Sequence, residues 1–270
     1  MIGAAIELRN SAKTPRPPLK WAGGKRWLVP QLMRLWMPHR ARRLVEPLCG
    51  GLAVALGLMP ARALLNDISP HTINFYRRLK RGLCVTIPMR NESELYYAHR
   101  ERFNALIRAG AAASEEGAAL FYYLNRTGYN GLCRFNRKGE FNVPFGRYKR
   151  ISYTTDFSAY RCVFADWELS TGDFESLVIS EDDFVYADPP YDVEFTQYSK
   201  EQFGWAQQVR LAECLAAHRG PVAVSNQATE RIVQLYEGLG FEVERVSAPR
   251  RISCTGDRTP AVEILALKGV

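Results

Sequence analysis

An apolar run, Phe184-Val185-Tyr186-Ala187, ends directly at the tetrad Asp188-Pro189-Pro190-Tyr191. A short apolar run bounded by a turn signal is typical of a buried strand. The tetrad is therefore predicted at the carboxyl edge of a strand. In an open α/β sheet the loops at that edge open into the crevice where ligands bind. This one segment predicts both an α/β fold and the position of a binding site.

The side chains of the tetrad suit the binding of a planar amino group on a heteroaromatic ring. The Asp188 carboxylate and the carbonyl of Pro189, a residue without an N–H, accept hydrogen bonds and donate none. Two such acceptors can hold both protons of an exocyclic amine and localise its lone pair, while the face of Tyr191 stacks on the base. The alternative is purely structural: a strand that ends in a Pro-Pro turn with a buried tyrosine.

The rest of the chain predicts an α/β domain that is interrupted by a second domain. Strand-like runs occur at 43–46, 62–66, 161–165, 184–187 and 221–225, and an antiparallel edge is predicted at 241–246 and 262–268 around the loop 247–260. Helical patterns cover 52–59, 69–108, 200–218 and 229–239. The predicted strands thus come from two separate parts of the chain, one before and one after the helical and basic segments. This order predicts a discontinuous domain at 1–68 and 152–270 and an inserted domain at 69–151.

The segment from Phe121 to Ile151 carries most of the excess positive charge. The chain has 36 Lys plus Arg against 28 Asp plus Glu, a formal net charge of +8. The segment contains one acid, Glu140, and seven cations, Arg126, Arg134, Arg137, Lys138, Arg147, Lys149 and Arg150. Aromatic residues and turn signals are interleaved with these cations, and Phe141 and Val143 after the Lys138-Gly139 turn predict a hairpin at about 125–149. Exposed cations and aromatics on a hairpin suit contacts to phosphates and base edges and insertion into a base stack. The alternative is a solvated basic loop over a small aromatic core.

Composition disfavours several functional classes. The six cysteines include no C-x-x-C pair, so we expect reduced thiols and neither a zinc site nor a disulfide framework. No window approaches the roughly 18 consecutive apolar residues of a membrane span, and 1–18 lacks the apolar core of a signal peptide. Trp21-Ala22-Gly23-Gly24-Lys25 is too short for an ATP-binding phosphate loop. We therefore expect a cytoplasmic protein without a metal ion or membrane contact.

A second candidate ligand site lies in the first strand–helix–strand unit. Gly50-Gly51 after the first strand lets the backbone approach a ligand, and Asp67 at the tip of the second strand can bind both ribose hydroxyls. The pattern is that of a pocket for a nucleotide-like cofactor, although by itself it is not specific.

Taken in order, these segments resemble the Dam-type DNA adenine methyltransferases over about 18–267. In that family the cofactor motif precedes the target-recognition region, and the catalytic tetrad follows. The matching segments here are Leu19-Lys20-Trp21-Ala22-Gly23-Gly24-Lys25, Val45-Glu46-Pro47, Leu65-Asn66-Asp67-Ile68, 123–134, 139–149 and the tetrad at 188–191. The resemblance implies a Rossmann-like S-adenosylmethionine-dependent methyltransferase sheet with an inserted helical and hairpin DNA-recognition domain.

The resemblance also implies roles for individual residues. S-adenosylmethionine would be the cofactor, bound by Trp21, Lys25, Glu46, Gly50, Asp67, Asp173, Phe174 and Asp188. Asp188, Pro189, Pro190 and Tyr191 would be catalytic: Asp188 and the Pro189 carbonyl would bind the amino group of an adenine flipped out of the helix, and Tyr191 would stack on it.

Double-stranded DNA would be the partner, with GATC as the recognition site and no obligate protein partner. The DNA contacts implied by the resemblance are Arg126, Tyr129, Asn130, Leu132, Arg134, Asn142, Pro144 and Arg147. Tyr129 would wedge between bases. Arg134 would pair with guanine, a contact that contributes roughly 1–3 kcal/mol of discrimination.

The chain departs from the family at one loop. The usual F-x-G-x-G after the first strand is here Leu48-Cys49-Gly50-Gly51-Leu52, which leaves open which atoms contact the methionine end of the cofactor.

Two other functional classes stay open. An amino-group methyltransferase acting on RNA or on a protein amide would share the fold and a similar tetrad, but amide enzymes usually have Asn in the first position, and the basic hairpin favours duplex DNA. A catalytically silent DNA-binding protein of the same fold should lack a tetrad residue or the cofactor acid, and Asp67, Asp188 and Tyr191 are all present.

Overall fold

The computed structural model describes residues 15–192, 203–249 and 261–270. The α-helices in these residues are α1 (Val29–Trp36), α2 (Ala55–Leu58), α3 (Pro70–Lys80), α4 (Ser93–Arg108), α5 (Glu115–Thr127), α6 (Ser158–Val163), α7 (Trp205–Ala217) and α8 (Glu230–Gly238). The strands are β1 (Leu44–Glu46), β2 (Ala63–Asp67), β3 (Trp167–Thr171), β4 (Phe184–Ala187), β5 (Val222–Gln227), β6 (Glu242–Ala248) and β7 (Ala261–Lys268).

The chain divides into two compact units. The first unit comprises Met1–Lys25, Gly50–Met59 and Ser69–Thr171, and its described part contains α2 to α6 and β3. The second unit comprises Arg26–Cys49, Pro60–Ile68 and Gly172–Val270, and contains α1, α7, α8 and the other strands. Both units are therefore assembled from segments that are distant in the sequence.

The second unit contains most of a mixed sheet. The sheet has seven strands in the described residues, and the six that belong to the second unit follow the order β2-β1-β4-β5-β7-β6. β1 pairs in parallel with β2 and β4, and β4 pairs in parallel with β5. β7 is antiparallel to both β5 and β6. The fold is thus mixed α/β, and the strands predicted at 43–46, 62–66, 184–187 and 221–225 and the antiparallel edge are confirmed.

Packing in the second unit explains the apolar strands. Val45, Val185 and Val224 on three parallel strands are fully buried, and α7 and α8 contribute Leu211 and Ile232 to the same core. A strand covered in this way is apolar along its whole length, so its first polar residue marks its end. The carboxyl ends of β1, β2, β4 and β5 all lie at one edge of the sheet because these strands are parallel.

The first unit is built around a helical and aromatic core. α5 packs against both α3 and α4, and the serines Ser69 and Ser114 cap α3 and α5 by accepting backbone N–H groups. Phe75 of α3 stacks on Tyr122 of α5 with 5.4 Å between ring centroids.

In the described part of the chain no helix is both long and apolar enough to span a membrane.

Two element predictions are corrected. The strand predicted at 161–165 is wrong: Ser158–Val163 is helix α6, which buries Tyr160 and Val163 three residues apart, and the strand follows at Trp167–Thr171. A short apolar run does not by itself distinguish a strand from a buried helical turn. The single helical pattern at 69–108 forms two helices, because Gly82 with φ +83° ends α3 and the chain re-enters a helix only at Ser93.

The predicted hairpin is shorter and more irregular than expected. α5 extends to Thr127, and the following segment is joined by isolated antiparallel bridges between Phe135 and Phe141 and between Gly128 and Phe145. The expectation of exposed aromatics is wrong for much of this segment: Tyr122, Tyr123 and Phe141 are buried, whereas Tyr129 is 51% exposed. Composition gives the number of aromatics but not the face they occupy. Six of the seven cations, Arg134, Arg137, Lys138, Arg147, Lys149 and Arg150, are nevertheless exposed.

Candidate active site

The tetrad lies at the carboxyl end of β4, where the sequence predicts it. Asp188 is the first residue after the strand, and its carboxylate Oδ1 accepts a hydrogen bond of 2.9 Å from the Ser225 hydroxyl of β5. The Ser225 oxygen lies 2.7 Å from the Tyr186 hydroxyl on β4. Since an ionised carboxylate only accepts, Ser225 donates to Asp188 and Tyr186 donates to Ser225. Burial raises the pKa of Tyr186, with the nearby Asp188 charge adding to it, so its hydroxyl remains a donor. This relay fixes the orientation of the Asp188 carboxylate.

Two further residues hold the rest of the tetrad. The fully buried Gln208 of α7 donates from Nε2 to the Pro190 carbonyl at 2.7 Å, and its own Oε1 accepts from Asn226 Nδ2 at 3.0 Å. The Tyr191 hydroxyl donates to the carboxylate of Glu263 on β7. The Asp-Pro-Pro-Tyr turn is therefore held by side chains from β5, α7 and β7.

Two more acidic residues lie at the same edge of the sheet. Glu46 ends β1 and Asp67 ends β2, and they are only 3% and 8% exposed. Burial raises the pKa of the Cys49 thiol, and the charges of Asp67 and then Glu46 raise it further, so both carboxylates lie near this neutral thiol. At the same edge, the Asn66 side chain donates hydrogen bonds to the carbonyls of Pro47 and Gly172, both at 2.9 Å.

The chemistry of these donors and acceptors fits S-adenosylmethionine. The ligand carries a sulfonium, an ammonium group and two ribose hydroxyls, all of which are cationic or donate hydrogen bonds. Glu46, Asp67 and Asp188 are carboxylates at the carboxyl edge of parallel strands, the place where α/β sheets bind nucleotide-like ligands. The three acids thus supply the complementary charge and acceptors.

Asp173 and Phe174 have structural partners in the second unit. Asp173 caps a short 3₁₀ turn by accepting from the Glu175 N–H at 2.9 Å, and Arg210 binds both Asp173 and Glu175. The hydrogen bond from Arg210, followed by that from the Glu175 N–H, lowers the pKa of Asp173. The Arg210 guanidinium lies 4.5 Å from the Phe174 ring centroid, and Phe174 is part of the core. These contacts hold the loop after Thr171 in place.

The first unit holds the other predicted cofactor residues. A side chain at Gly50 or Gly51 would collide with Trp21, because a Cβ at Gly51 would lie 2.6 Å from the Trp21 Cβ. Gly50 itself has φ +46°, and its carbonyl accepts from the Tyr76 hydroxyl at 2.6 Å. Lys25 is only 2% exposed and donates to the Gly23 carbonyl at 2.9 Å. Trp21 and the Gly50-Gly51 turn are therefore packed together.

Lys20 links the Trp21 segment to α5 within the same unit. Its backbone exchanges hydrogen bonds of 2.8 and 2.9 Å with the Asn125 amide, and its ammonium donates to the Arg126 carbonyl at 2.8 Å. The ammonium also lies 3.7 Å from the centroid of the Tyr148 ring. Asn125 is fully buried and donates in addition to the Gly131 carbonyl. One buried amide thus joins the segment at Lys20 to the turn at Gly131.

The residues predicted to contact DNA form an exposed, anchored loop in the first unit. Tyr129, Arg134, Pro144 and Arg147 are exposed, and Asn130, Leu132 and Asn142 are half-buried. Arg134 Nε donates to Asn142 Oδ1 at 2.8 Å, so two of the predicted contact residues orient one another. Arg126 differs from the rest: it is partly buried, and its guanidinium donates to the Ser152 carbonyl.

Side chains of helix α4 anchor the backbone of this loop. The buried Asn104 side chain exchanges hydrogen bonds with the Phe141 backbone at 2.8 and 3.1 Å, and the Tyr96 hydroxyl donates to the Val143 carbonyl at 2.8 Å. Such bonds hold the loop backbone, so its exposed side chains project from a fixed base.

The structure offers no support for a metal centre in the described residues. No group of three or more His, Cys, Asp or Glu side chains in ranges 15–192, 203–249 and 261–270 is arranged to hold a metal ion. Cys49, Cys84, Cys133, Cys162 and Cys214 are free thiols, and Cys254 lies outside the described residues.

Ser225, Gln208 and Glu263 are the residues that sequence reasoning missed. They lie 37, 18 and 72 positions from their partners in the tetrad, so no local pattern connects them to it. The available signal was a run of polar residues, Ser225-Asn226-Gln227, that continues an apolar strand, and an acid, Glu263, within the apolar strand Ala261–Lys268.

A family model and several known relatives match most of the chain. The model of the D12 class of N6 adenine-specific DNA methyltransferases matches residues 21–252. The chain is 38% identical to the DNA adenine methylase of Vibrio cholerae O395 over 94% of this chain and 96% of that protein. It is 34% identical to the Haemophilus influenzae DNA adenine methylase, with 94% of each chain covered.

A phage relative and a solved structure complete the comparison. The DNA N-6-adenine-methyltransferase of Escherichia phage P1 is 35% identical over 97% of this chain, and the match spans 36% of the phage protein's length. The tRNA (m1A58) methyltransferase TrmI of Aquifex aeolicus matches with a TM-score of 0.36 and 9% identity over 94% of this chain and 72% of that one.

The sequence matches cover both the tetrad and the exposed loop. They show an enzyme that acts on DNA and uses S-adenosylmethionine as the methyl donor. The chain belongs to the D12 class of N6 adenine-specific DNA methyltransferases.

Proposed function

We propose that this enzyme methylates the N6 amino group of an adenine that has left the helix of double-stranded DNA, within the sequence GATC. The observation that carries the proposal is the fixed orientation of Asp188 by Ser225 beside a tyrosine anchored through its hydroxyl. Base flipping is a physical requirement, because the amino nitrogen inside a duplex is engaged in pairing and stacking.

The tetrad is proposed to bind the reacting base. The Asp188 carboxylate and the Pro189 carbonyl accept the two amino protons, which localises the nitrogen lone pair, and Tyr191 stacks on the ring. Pro190 stiffens the turn, and its carbonyl is held by Gln208. When bound, S-adenosylmethionine supplies an electrophilic methyl group on sulfur. The protein contributes mainly alignment, and such positioning can account for several kcal/mol of the barrier, on the order of 7–11 in the best cases.

The cofactor residues are proposed separately for each unit. In the second unit Asp67 accepts from the ribose hydroxyls, and Glu46 and Asp188 bind the cationic end; Asp173 and Phe174 flank the adenine end. In the first unit Trp21, Lys25 and Gly50 are the residues proposed to bind S-adenosylmethionine. Arg210 pairs with Asp173 and lies over the Phe174 ring. These contacts favour a structural role for both side chains, in which they support this end of the site.

The exposed loop of the first unit is proposed to read the DNA. Tyr129, which is 51% exposed, would insert between bases, and the Arg134 guanidinium would contact guanine. The Asn142 carboxamide pre-orients Arg134, which lowers the entropy lost on binding. Asn130, Leu132, Pro144 and Arg147 would complete the contacts to base edges and phosphates. Because Arg126 is engaged with Ser152, it is proposed to support the loop from within.

The test is to incubate the purified protein with labelled S-adenosylmethionine and unmethylated genomic DNA, and to map modified adenines by single-molecule sequencing. Methylation confined to GATC is the expected result. Adenine methylation at other sites would overturn the proposed specificity and keep the chemistry.

Parallel reactions with RNA and with protein as the acceptor, together with a DNA-binding titration, separate the remaining alternatives. Transfer to RNA or to a protein amide but not to DNA would identify a different amino-group substrate. DNA binding without any transfer would identify a catalytically silent member of the family.

A further inference from the structure

The Tyr191 hydroxyl is bound by a residue far away in the sequence. It donates a hydrogen bond to the carboxylate of Glu263, which lies 72 positions later on β7. Neither the sequence pattern nor the family resemblance gives Glu263 a role. The contact is direct and joins a side chain proposed to touch the base to the interior of the sheet.

A carboxylate at position 263 is unfavourable for the stability of the fold. It is 6% exposed, and the next three residues of β7, Ile264, Leu265 and Ala266, are fully buried. A buried carboxylate loses its hydration and destabilises a fold unless hydrogen bonds and charges compensate. Stability alone therefore does not explain an acid here, whereas a specific donor such as the Tyr191 hydroxyl gives it a purpose.

The strand register shows that the contact is part of a clamp. Glu263 is the register partner of Gln227 on β5, and Gln227 Nε2 donates to the carbonyl of Asp192, the residue after Tyr191. The Asp192 carboxylate in turn pairs with Arg231 of α8. One pair of facing residues thus holds the Tyr191 ring at its hydroxyl and the backbone at Asp192, the next residue.

The ionisation state of Tyr191 supports a lasting contact. Burial raises the pKa of its hydroxyl above the ordinary value, and the hydrogen bond to Glu263 raises it further. The phenol therefore keeps its proton at neutral pH and can only donate to the carboxylate. A hydrogen bond with an ionised acceptor is stronger and shorter than a neutral one.

We propose that Glu263 is a positioning residue for methyl transfer, which fixes the plane of the Tyr191 ring through its hydroxyl so that the ring stacks on the target adenine at a defined angle. This inference rests on the proposed stacking role of Tyr191. It predicts that the two side chains act as one unit.

The test is a double-mutant cycle on the single-turnover rate of methyl transfer, with a DNA duplex that the wild-type enzyme methylates. Tyr191→Phe keeps the ring and removes the hydroxyl; Glu263→Met keeps the length and removes the acceptor. We expect each to slow transfer about tenfold, or about 1.4 kcal/mol, and the double variant to be no slower than either. Glu263→Gln retains a carbonyl acceptor and should stay within about threefold of wild type.

Matched measurements exclude a general loss of structure. Val262→Thr is the control on the exposed neighbour in β7, which is 53% exposed, and it should leave the rate unchanged. Thermal unfolding of every variant identifies those that are folded. If Glu263→Met does not fold, Tyr191→Phe decides, because a wild-type rate in that variant shows that the hydroxyl contact does not matter.

The outcomes separate this inference from the proposed function. A double variant about 100-fold slower than wild type means that the two residues act independently. An unchanged rate in Glu263→Met means that Glu263 does not affect transfer. Either result overturns the positioning role. Tyr191→Ala tests the stacking itself. If it retains the wild-type rate, the proposed role of Tyr191 fails; if it is slow while Glu263→Met is not, only the inference about Glu263 fails.

Discussion

Replacing Ser225 by Ala should slow methyl transfer strongly while leaving DNA binding intact. The Ser225 hydroxyl donates to Asp188 Oδ1 at 2.9 Å; Ser225 is fully buried and Asp188 is half-buried. A hydrogen bond to a charged group contributes about 1.5–3 kcal/mol. If that energy serves to hold Asp188 in its reactive orientation, its loss lowers the single-turnover rate by roughly 10- to 100-fold.

Tyr186→Phe provides a graded comparison. It removes only the outer hydrogen bond of the relay, the 2.7 Å contact to Ser225, and leaves the Ser225 donor in place. This bond joins two neutral groups and contributes about 1 kcal/mol, so the rate should fall about fivefold. The effect of Tyr186→Phe must be smaller than that of Ser225→Ala, because Ser225 donates directly to the carboxylate and Tyr186 acts through Ser225.

The assay is a rapid-quench measurement of one turnover with saturating duplex DNA and labelled S-adenosylmethionine, together with DNA affinity by fluorescence anisotropy. Ser247→Ala on the exposed face of β6 is the matched control and should have the wild-type rate. A wild-type rate in Ser225→Ala, or a larger loss in Tyr186→Phe, would refute the idea that the relay orients Asp188. Thermal unfolding of each variant accounts for any destabilisation from the buried tyrosine hydroxyl.

Four further substitutions test the tetrad, the exposed loop and Lys20. Asp188→Ala should abolish transfer and leave DNA affinity largely intact; activity within a few-fold of wild type in a filter assay would refute its role. Arg134→Ala should relax discrimination between cognate and altered sites more than it weakens binding, whereas Lys149→Ala should weaken binding to all sequences and flatten the salt dependence, so equal losses in affinity titrations would contradict this division. Burial, followed by the charge of Arg126, lowers the pKa of Lys20 from 10.5 to about 8. Between these two values the unfolded chain holds a proton that the folded chain does not, so the free energy of unfolding should rise with pH in this window. Lys20→Met should remove that rise in chemical denaturation series, and an unchanged slope would count against the shifted pKa.

The parts of the fold that were predicted correctly are those with a strong local signal. The run 184–187 is apolar because β4 is covered on both faces, and the first polar residue after it had to mark the strand's end and the candidate site. The same reasoning predicted β1 and β2, with Glu46 and Asp67 at their ends. Local pattern failed where helix and strand share a signature: 162–164 is as apolar as a strand, but the run belongs to a region where α6 buries Tyr160 and Val163 on one helical face.

The aromatic segment shows a different limit. Phe141 and Tyr129 look equivalent in the sequence, each an aromatic beside turn residues, yet one is buried and the other is 51% exposed. The difference is made by α4, whose Asn104 binds the Phe141 backbone from 37 positions away. Exposure of an aromatic therefore depends on which distant helix packs beneath it.

The supporting residues of the site lie beyond local pattern for the same reason, and their chemistry shows why they matter. Asp188 and Tyr191 are recognisable because the reaction dictates their types, but a carboxylate at a turn can adopt several orientations of similar energy. The hydroxyl of Ser225, the amide of Gln208 and the carboxylate of Glu263 each take one atom of the tetrad and remove that freedom before substrate binds. The conformational entropy of the turn is already lost when the protein folds. Ordering the turn therefore does not add to the activation barrier of the reaction. The fully buried Ser225 and Gln208 and the nearly buried Glu263 are each unfavourable for a hydrophobic core, and the proposed effect on the rate of transfer gives a reason for their presence.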